Sequence, residues 1–310
     1  MGFCILVLSL LYVALEREPG SDSLSTQITV SKAYQTAIHT SHKLITKQRV
    51  DKKMNVSQIK RTSDFDFVFP VGFSFFEPYL RYHIGEILEI GGEAYVARTS
   101  EGAISGVFIY DGFERGGTVY TKSREVFDYF YGLKPFVFLF SEMKTELENE
   151  IYDIYTADIE NLAIAHRFSY EISTSGKTSV PEIEQFMSLT HPGINKKWVK
   201  VALKNGDRCF IVKLSNEIAG LGWVSLVNGV GRLHSLYVKP QFRRMGIGED
   251  ILNARLLWLK SKCAHSVFTE VSRYNTPSSN NIMKANLRVC GQVFQYYKKG
   301  AERKMEINGY

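Results

Sequence analysis

The stretch Leu233-His234-Ser235-Leu236-Tyr237-Val238-Lys239-Pro240-Gln241-Phe242-Arg243-Arg244-Met245-Gly246-Ile247-Gly248 gathers the residue types most suited to chemistry. A strand pattern runs into a glycine-containing turn, and a helix pattern follows. The first N–H groups of such a helix have no intrahelical partner and point outward. The helix dipole adds partial positive charge, so the junction suits an anion. Gly246 and Gly248 leave room for phosphate oxygens at the backbone, and Arg243 and Arg244 supply charge. On the strand before the turn, His234 has a ring that titrates near neutrality, as a general base requires. Four cysteines, Cys4, Cys209, Cys263 and Cys290, lie far apart without a C-x-x-C pair. They fit small core residues in a reducing compartment, so the chain reads as cytoplasmic. The sequence offers no metal site.

The wider pattern, a strand, Val-x-Pro and then Arg-x-x-Gly-x-Gly opening a helix, resembles the acetyl-CoA pyrophosphate loop of the GCN5-related N-acetyltransferases (GNAT). The family's motif falls on Arg243, Gly246 and Gly248. The resemblance implies that residues 243–248, with Met245 and Ile247 inside the loop, hold the pyrophosphate of acetyl-CoA. It also implies that Leu236, Tyr237 and Val238 offer backbone groups to the pantetheine arm at a splayed strand. The strand ending at Arg273-Tyr274-Asn275 would form the other lip. Asn275 and Asn280 both sit where the family often places a cofactor-touching Asn; caps and turns explain an Asn there equally well.

By the same resemblance, the N–H of Val238 would serve the oxyanion and His234 would deprotonate the amine. Leu-His-x-Leu-x-Val is also similar to the strand bearing a proposed catalytic His in the serotonin N-acetyltransferases. A structural His bonded to backbone is the competing reading. The family's closing Tyr, which often protonates the CoA thiolate, is replaced by Leu287, and Gln292 follows Gly291 in place of Phe. Tyr296 and Tyr297 are the nearby substitutes for that acid, against strand packing as their plainer role.

These residues need a scaffold. From about 165 the patterns read strand, two helices, three strands, loop and helix, strand, helix, strand. They include a helix from Ser179, with Ser179 and Glu182 as a capping box, and a closing strand at Val293–Lys298. Trp223 reads as core or as a wall of the acceptor site, and Trp258 as core. Residues 57–150 open with crowded aromatics (Phe65, Phe67, Phe69, Phe73, Phe75, Phe76, Tyr79), then show strand runs and a helix at Ser123–Tyr131. This is a small α/β domain, compatible with a degenerate acetyltransferase-like half that lacks the loop. Residues 151–164 read as a linker within a helix-like, acidic stretch from 142 to 165. The fold class is thus α/β (α+β): a mixed, mostly antiparallel GNAT-like sheet at 165–310, flanked by helices and preceded by the smaller domain.

Residues 1–56 stand apart. The apolar run Gly2–Leu15 would span about 21 Å as a helix, short of the roughly 30 Å of a bilayer core. It reads as a buried or partner-docking helix, or as an upstream start codon, ahead of a membrane anchor. Residues 19–60 are polar and basic, a solvated lead-in. The chain's 310 residues suggest two domains, and 45% hydrophobic with 23% charged residues excludes a disordered chain. A net charge of +6 is too mild to imply a nucleic-acid partner.

Together these observations predict an acetyl-CoA-dependent N-acetyltransferase that transfers directly to a primary amine, a small molecule or a protein amine. The first domain would shape the acceptor site or a homodimer. A non-catalytic acyl-CoA-binding sensor or interaction module is the alternative, and Leu287 leans toward it.

Overall fold

The computed structural model describes residues 54–297, apart from 62–63, 65–68, 70–73, 75, 113–114, 148, 177–179 and 191–196. The apolar run at 2–15, most of the basic lead-in, Phe65, Phe67, Phe73, Phe75, Ser179 and Lys298 lie outside the described residues.

Among the described residues, twelve strands form one sheet in the order β1-β2-β3-β4-β5-β12-β6-β11-β10-β9-β8-β7. The first half supplies β1 (Met54–Ile59), α1 (Glu77–Ile90), β2 (Glu93–Thr99), β3 (Ile104–Asp111), β4 (Gly116–Thr121), α2 (Arg124–Leu133), β5 (Phe138–Ser141) and β6 (Asn149–Asp158). The second supplies β7 (Ile172–Thr174), α3 (Val180–Thr190), α4 (Lys197–Lys204), β8 (Arg208–Leu214), β9 (Glu217–Val227) and β10 (Val230–Val238). It closes with α5 (Ile247–Ser261), β11 (Ser266–Ser272), α6 (Thr276–Lys284) and β12 (Arg288–Tyr297).

The halves repeat one plan. In each, two antiparallel pairings (β2-β3-β4, β8-β9-β10) lead through a helix to a parallel neighbour, β5 beside β4 and β11 beside β10. Each half then lends its last strand to the other. Strand β6 pairs with β11, β12 pairs with β5, and the two lent strands pair together at the centre. This exchange supplies both halves with an antiparallel partner and makes the sheet continuous. The preceding half is therefore GNAT-like in topology.

Strand β6 corrects the reading of 142–165 as helical. Acidic residues mark the stretch, but Tyr152–Asp158 pairs with β11 along its whole length. The helix before the closing strand ends at Lys284, and Asn286 beyond it takes φ 75°. The closing strand consequently starts earlier, at Arg288. Helix α1 follows directly on the crowded aromatics, whose crowding gives no helix signal of its own. Leu80, Ile84 and Ile87 mark its buried side, and left-handed Gly91 ends it with N–H bonds to the carbonyls of Ile87 and Leu88. Ser123 does cap α2, accepting from the Val126 N–H at 3.4 Å.

Apolar clusters fill the faces among the described residues. Helix α1 packs on Val96, Val107 and Ile109 of the first half and reaches Phe268 of β11. Helices α3 and α4 pack on Cys209, Ile211, Leu221 and Trp223. On the opposite side of the second half, α5 and α6 cover Val212, Val224, Leu233 and Val267.

Candidate functional site

Strands β10 and β11 hold together over only three registered pairs, Val230 with Ser266 through Arg232 with Phe268. Beyond them β10 stays on β9 while β11 stays on β6 to its end. A V-shaped cleft opens between two parallel strands. A bulge on β10 between His234 and Tyr237 marks the parting, and Ser235 within it takes φ 49°.

The register past the bulge decides which backbone groups face the cleft. The Lys239 N–H donates to the Ala219 carbonyl. Antiparallel partners alternate between bonded and unbonded pairs. Tyr237 therefore turns its N–H and C=O to β9, and Val238 turns its own into the cleft. The Val238 carbonyl accepts from Arg243 Nε at 3.2 Å. Of Leu236, Tyr237 and Val238, it is Val238 whose N–H and C=O turn into the cleft, and the Tyr237 ring packs beside it. Arg243 lies 5.6 Å over that ring, and Phe186 packs against it edge to face.

At the cleft's end the chain turns through Arg244 (φ 64°) and Gly246 (φ 86°) into α5. Gly246 is the N-cap, with no side chain capping the helix. The first N–H groups of α5 are thus available to an anion. A Cβ on Gly246 would meet nothing within 4 Å, so the space above the loop is open. Arg244 and Met245 are exposed and Ile247 is buried as the loop's anchor. The same first turn fixes the strap before β7: buried Asp250 accepts from the N–H groups of Ser169 (2.7 Å) and Tyr170 (3.1 Å). This donor set fits the pyrophosphate of a CoA thioester.

On the other lip, Asn275 caps α6, its Oδ1 accepting from the Ser278 N–H at 3.2 Å. Asn280 is exposed. Its neighbour Asn281 puts Nδ2 3.7 Å from where a Gly248 Cβ would stand. The sequence reading selected Asn280 of this adjacent pair; helix phase turns Asn281 toward the loop.

His234 sits at the parting of the strands, its side chain 15% exposed. Ser225 Oγ lies 3.1 Å from Nε2, Asp207 Oδ2 3.8 Å from Nε2, and Ser235 Oγ 3.4 Å from Nδ1. Trp198 packs edge-on and Trp223 stacks alongside. Burial lowers the imidazole's pKa, partly offset by Asp207, so the ring is neutral near pH 7. Trp223 is fully buried, both a core residue and a wall beside His234, and Trp258 packs against the α5 core.

Two polar residues near the bulge gave no sequence signal. Asp207 lies in the turn before β8, buried, and accepts from Tyr82 of α1 at 2.7 Å. Arg255 of α5 is also buried and donates Nη1 to the Trp223 carbonyl at 3.0 Å, with the His234 carbonyl at 3.4 Å. Burial lowers its pKa to about 9. Their partners come from elements distant in sequence, so spacing could not reveal them.

The two tyrosines separate. Tyr296 is fully buried, its ring against Phe127 of α2 and its hydroxyl donating to the Met143 carbonyl and accepting from the Thr145 N–H. It is a packing residue of the first half, not a candidate acid, because strand alternation turns it away from Tyr297. The Tyr297 hydroxyl donates to Gln295 Oε1 at 2.7 Å and lies 3.2 Å from Glu150 Oε2, and Glu150 Oε1 accepts from Ser272 Oγ at 2.5 Å, at the end of β11. Leu287 is buried in the α5–α6 core and has no access to the cleft.

Among the described residues, no helix is long and apolar enough to cross a membrane, and no group of His, Cys, Asp or Glu is placed to hold a metal ion.

Residues 171–282 match the Acetyltransferase (GNAT) family. Comparison with curated proteins gave no match. Among solved structures, the chain is similar to a tandem GNAT protein from the clavulanic acid biosynthesis pathway, solved without AcCoA. That likeness has 11% identity and a TM-score of 0.54, covering 81% of this chain and 99% of the other. It is also similar to a protein of Pyrococcus horikoshii described as an acetyltransferase, with 11% identity and a TM-score of 0.52, covering 81% and 91%. At these identities the likeness is one of fold, and its span takes in both halves.

Proposed function

With an acyltransferase domain of the GNAT superfamily in the C-terminal half as premise, we propose that the protein is an N-acetyltransferase moving an acetyl group from acetyl-CoA to a primary amine. The carrying observation is the parting of β10 from β11 beside a loop with left-handed Gly246 and an uncapped helix N-terminus. That arrangement supplies donors along a thioester's arm and at its pyrophosphate. Arg244, Gly246, Ile247, Gly248 and Asn281 would hold the pyrophosphate, with Arg243 bracing the loop, and Val238 the pantetheine arm.

Acetyl-CoA, as the second substrate, brings an electrophilic thioester carbonyl. The amine attacks from the side of His234, whose neutral ring takes the proton the amine loses. The C–N bond forms and the C–S bond breaks. The Val238 N–H is oriented toward the cleft to donate to the carbonyl oxygen as charge builds there. Tyr297, held by Gln295 and Glu150 beside Ser272, is the hydroxyl we assign to protonating the departing thiolate. No covalent enzyme intermediate is needed. The described cysteines, Cys209, Cys263 and Cys290, are unpaired, which agrees with a cytoplasmic setting.

A non-catalytic acyl-CoA binder is the second reading, favoured by the burial of Leu287 where the family often has an acid. Calorimetry of acetyl-CoA against free CoA, with Gly246→Asp as control, tests the shared premise. Saturable binding that Gly246→Asp loses is expected. An amine screen on the same sample separates the readings: turnover supports the enzyme, and binding without turnover on any amine supports the binder.

A further inference from the structure

We infer that Asp207 and Ser225 keep the proton of the His234 ring on Nε2, leaving the Nδ1 lone pair on the side of the bulge as the basic atom, and that Tyr82 from the first half tunes this hold. The inference rests on the acetyltransferase reading only for what Nδ1 deprotonates.

The geometry is asymmetric about the ring. Nε2 meets Ser225 Oγ at 3.1 Å, a hydroxyl that donates or accepts to suit, and the Asp207 carboxylate at 3.8 Å. A carboxylate can only accept, so it favours N–H on the nitrogen facing it. Among the described residues, Nδ1 meets Ser235 Oγ, a hydroxyl that can donate, at 3.4 Å. Ser235 is the left-handed bulge residue where β10 leaves its neighbour. The lone pair therefore points toward the opening of the cleft and the proton toward the interior. When Nδ1 accepts a proton, the charge spreads over a ring that already faces Asp207, and no second transfer is required.

Asp207 is placed by its own turn. Gly206 takes φ 97°, and the Asp207 N–H bonds to the Ala202 carbonyl at 3.0 Å. Its other oxygen accepts from Tyr82, on the helix that the first half lays over the second. This gives the first half a role in the chemistry: a donor on Oδ1 withdraws charge from Oδ2 and weakens its pull on the imidazolium.

The remaining charges around the ring are quieter. Arg232, on the same strand, is paired with Glu270 of β11 at 3.0 Å. From α1, burial and the Asp207 charge raise Glu86 to about 8, so it stays protonated near neutrality. Burial and Arg232 lower His83, also on α1, to about 3, so it stays neutral. Tyr79, the remaining titratable group of that helix here, is raised far above neutrality by burial. From α5, Arg255 touches the His234 carbonyl and not its ring. Asp207 is the carboxylate placed against the ring itself, 3.8 Å from Nε2.

The test reads the ring directly. In full-length protein with ¹⁵N-labelled histidine, assigned by His234→Gln, the His234 shifts should show the Nε2–H tautomer at neutral pH. Asp207→Asn should lower the ring's pKa by about one unit, as loss of a nearby opposite charge does. Tyr82→Phe should raise it, because an unshared carboxylate pulls harder. A packing defect does not give shifts of opposite sign. An Nδ1–H tautomer in the wild type overturns the inference, as does a Tyr82→Phe titration identical to the wild type. If Asp207→Asn fails to fold, Tyr82→Phe alone decides. In turnover, Asp207→Asn should reduce kcat roughly 10–100-fold with KM for acetyl-CoA unchanged. A wild type inactive on every amine would sink the transferase reading while the tautomer and the opposed shifts stood.

Discussion

The Tyr79 hydroxyl reaches the Ser225 carbonyl across 3.1 Å and 146 residues of chain. It also reaches the Val230 carbonyl, at the far side of the β9–β10 turn. One phenol of the first half thus spans the turn joining β9 to β10, the strand that carries His234. Tyr79→Phe keeps the ring's contacts with Phe268 and removes only the shared proton. It should cost about 1–2 kcal/mol, the value of a buried hydrogen bond whose acceptors stay behind. Urea denaturation measures this, and a change under about 0.3 kcal/mol would mean water replaces the phenol.

The loop makes a separable pair of predictions. Gly246 needs its left-handed backbone but has open space above it, so Gly246→Ala should cost about 1–2 kcal/mol of backbone strain while adding no clash. Gly246→Asp adds a negative charge where the anion should sit and should reduce acetyl-CoA affinity further than the alanine does. Arg243→Ala removes the brace on the Val238 carbonyl and should lower affinity by about 1–3 kcal/mol. Calorimetry on the three variants gives the order. Equal affinity in Gly246→Asp and Gly246→Ala would place the anion elsewhere.

The neighbouring tyrosines should respond oppositely. Tyr296→Phe removes a buried hydroxyl bonded to Met143 and Thr145, and should lower stability by about 1–3 kcal/mol with kcat near wild type. Tyr297→Phe should leave stability nearly intact and lower kcat, with acetyl-CoA binding unchanged. A normal kcat in Tyr297→Phe would remove it from the mechanism.

Stability should bend with pH in two directions. Burial holds His83 at about 3 against an unfolded value of 6.5, so between these the unfolded chain binds the extra proton. Stability from this source is full above about 6.5 and falls as pH drops toward 3. Burial holds Glu86 at about 8 against 4.5, so there the folded chain binds the extra proton. Its contribution is full below about 4.5 and is lost as pH rises toward 8. The two slopes oppose between 4.5 and 6.5, and above 6.5 the Glu86 slope should stand alone, on the order of 1 kcal/mol per pH unit. Glu86→Gln should flatten the decline between pH 6.5 and 8 in denaturation curves; a decline unchanged by that variant would assign it to another group.

Much of the second half was legible in sequence because its signals are local. The run from Val238 through Gly248 fixes a strand, a turn and a helix within one stretch of chain, and left-handed Gly246 is a property of that residue type at that bend. The order of strands and helices from β8 to β11 follows the pattern read along the chain from 165, and Ser123 begins α2 as its cap. Leu287 could be read as a missing hydroxyl without any structure. What the sequence could not carry was pairing between distant segments. Strand β6 is a strand because β11 and β12 flank it, and its acidic composition says nothing of that. Tyr296 and Tyr297 are alike in a string of letters; strand alternation sends one under α2 and leaves the other beside Glu150. His234 stood out by type, whereas Asp207, 27 residues earlier, and Tyr82, 152 residues earlier, acquire meaning only when the sheet brings them to one ring. The chemistry of each group belongs to the residue, but its protonation and direction belong to burial and neighbours, and those are settled by the tertiary fold.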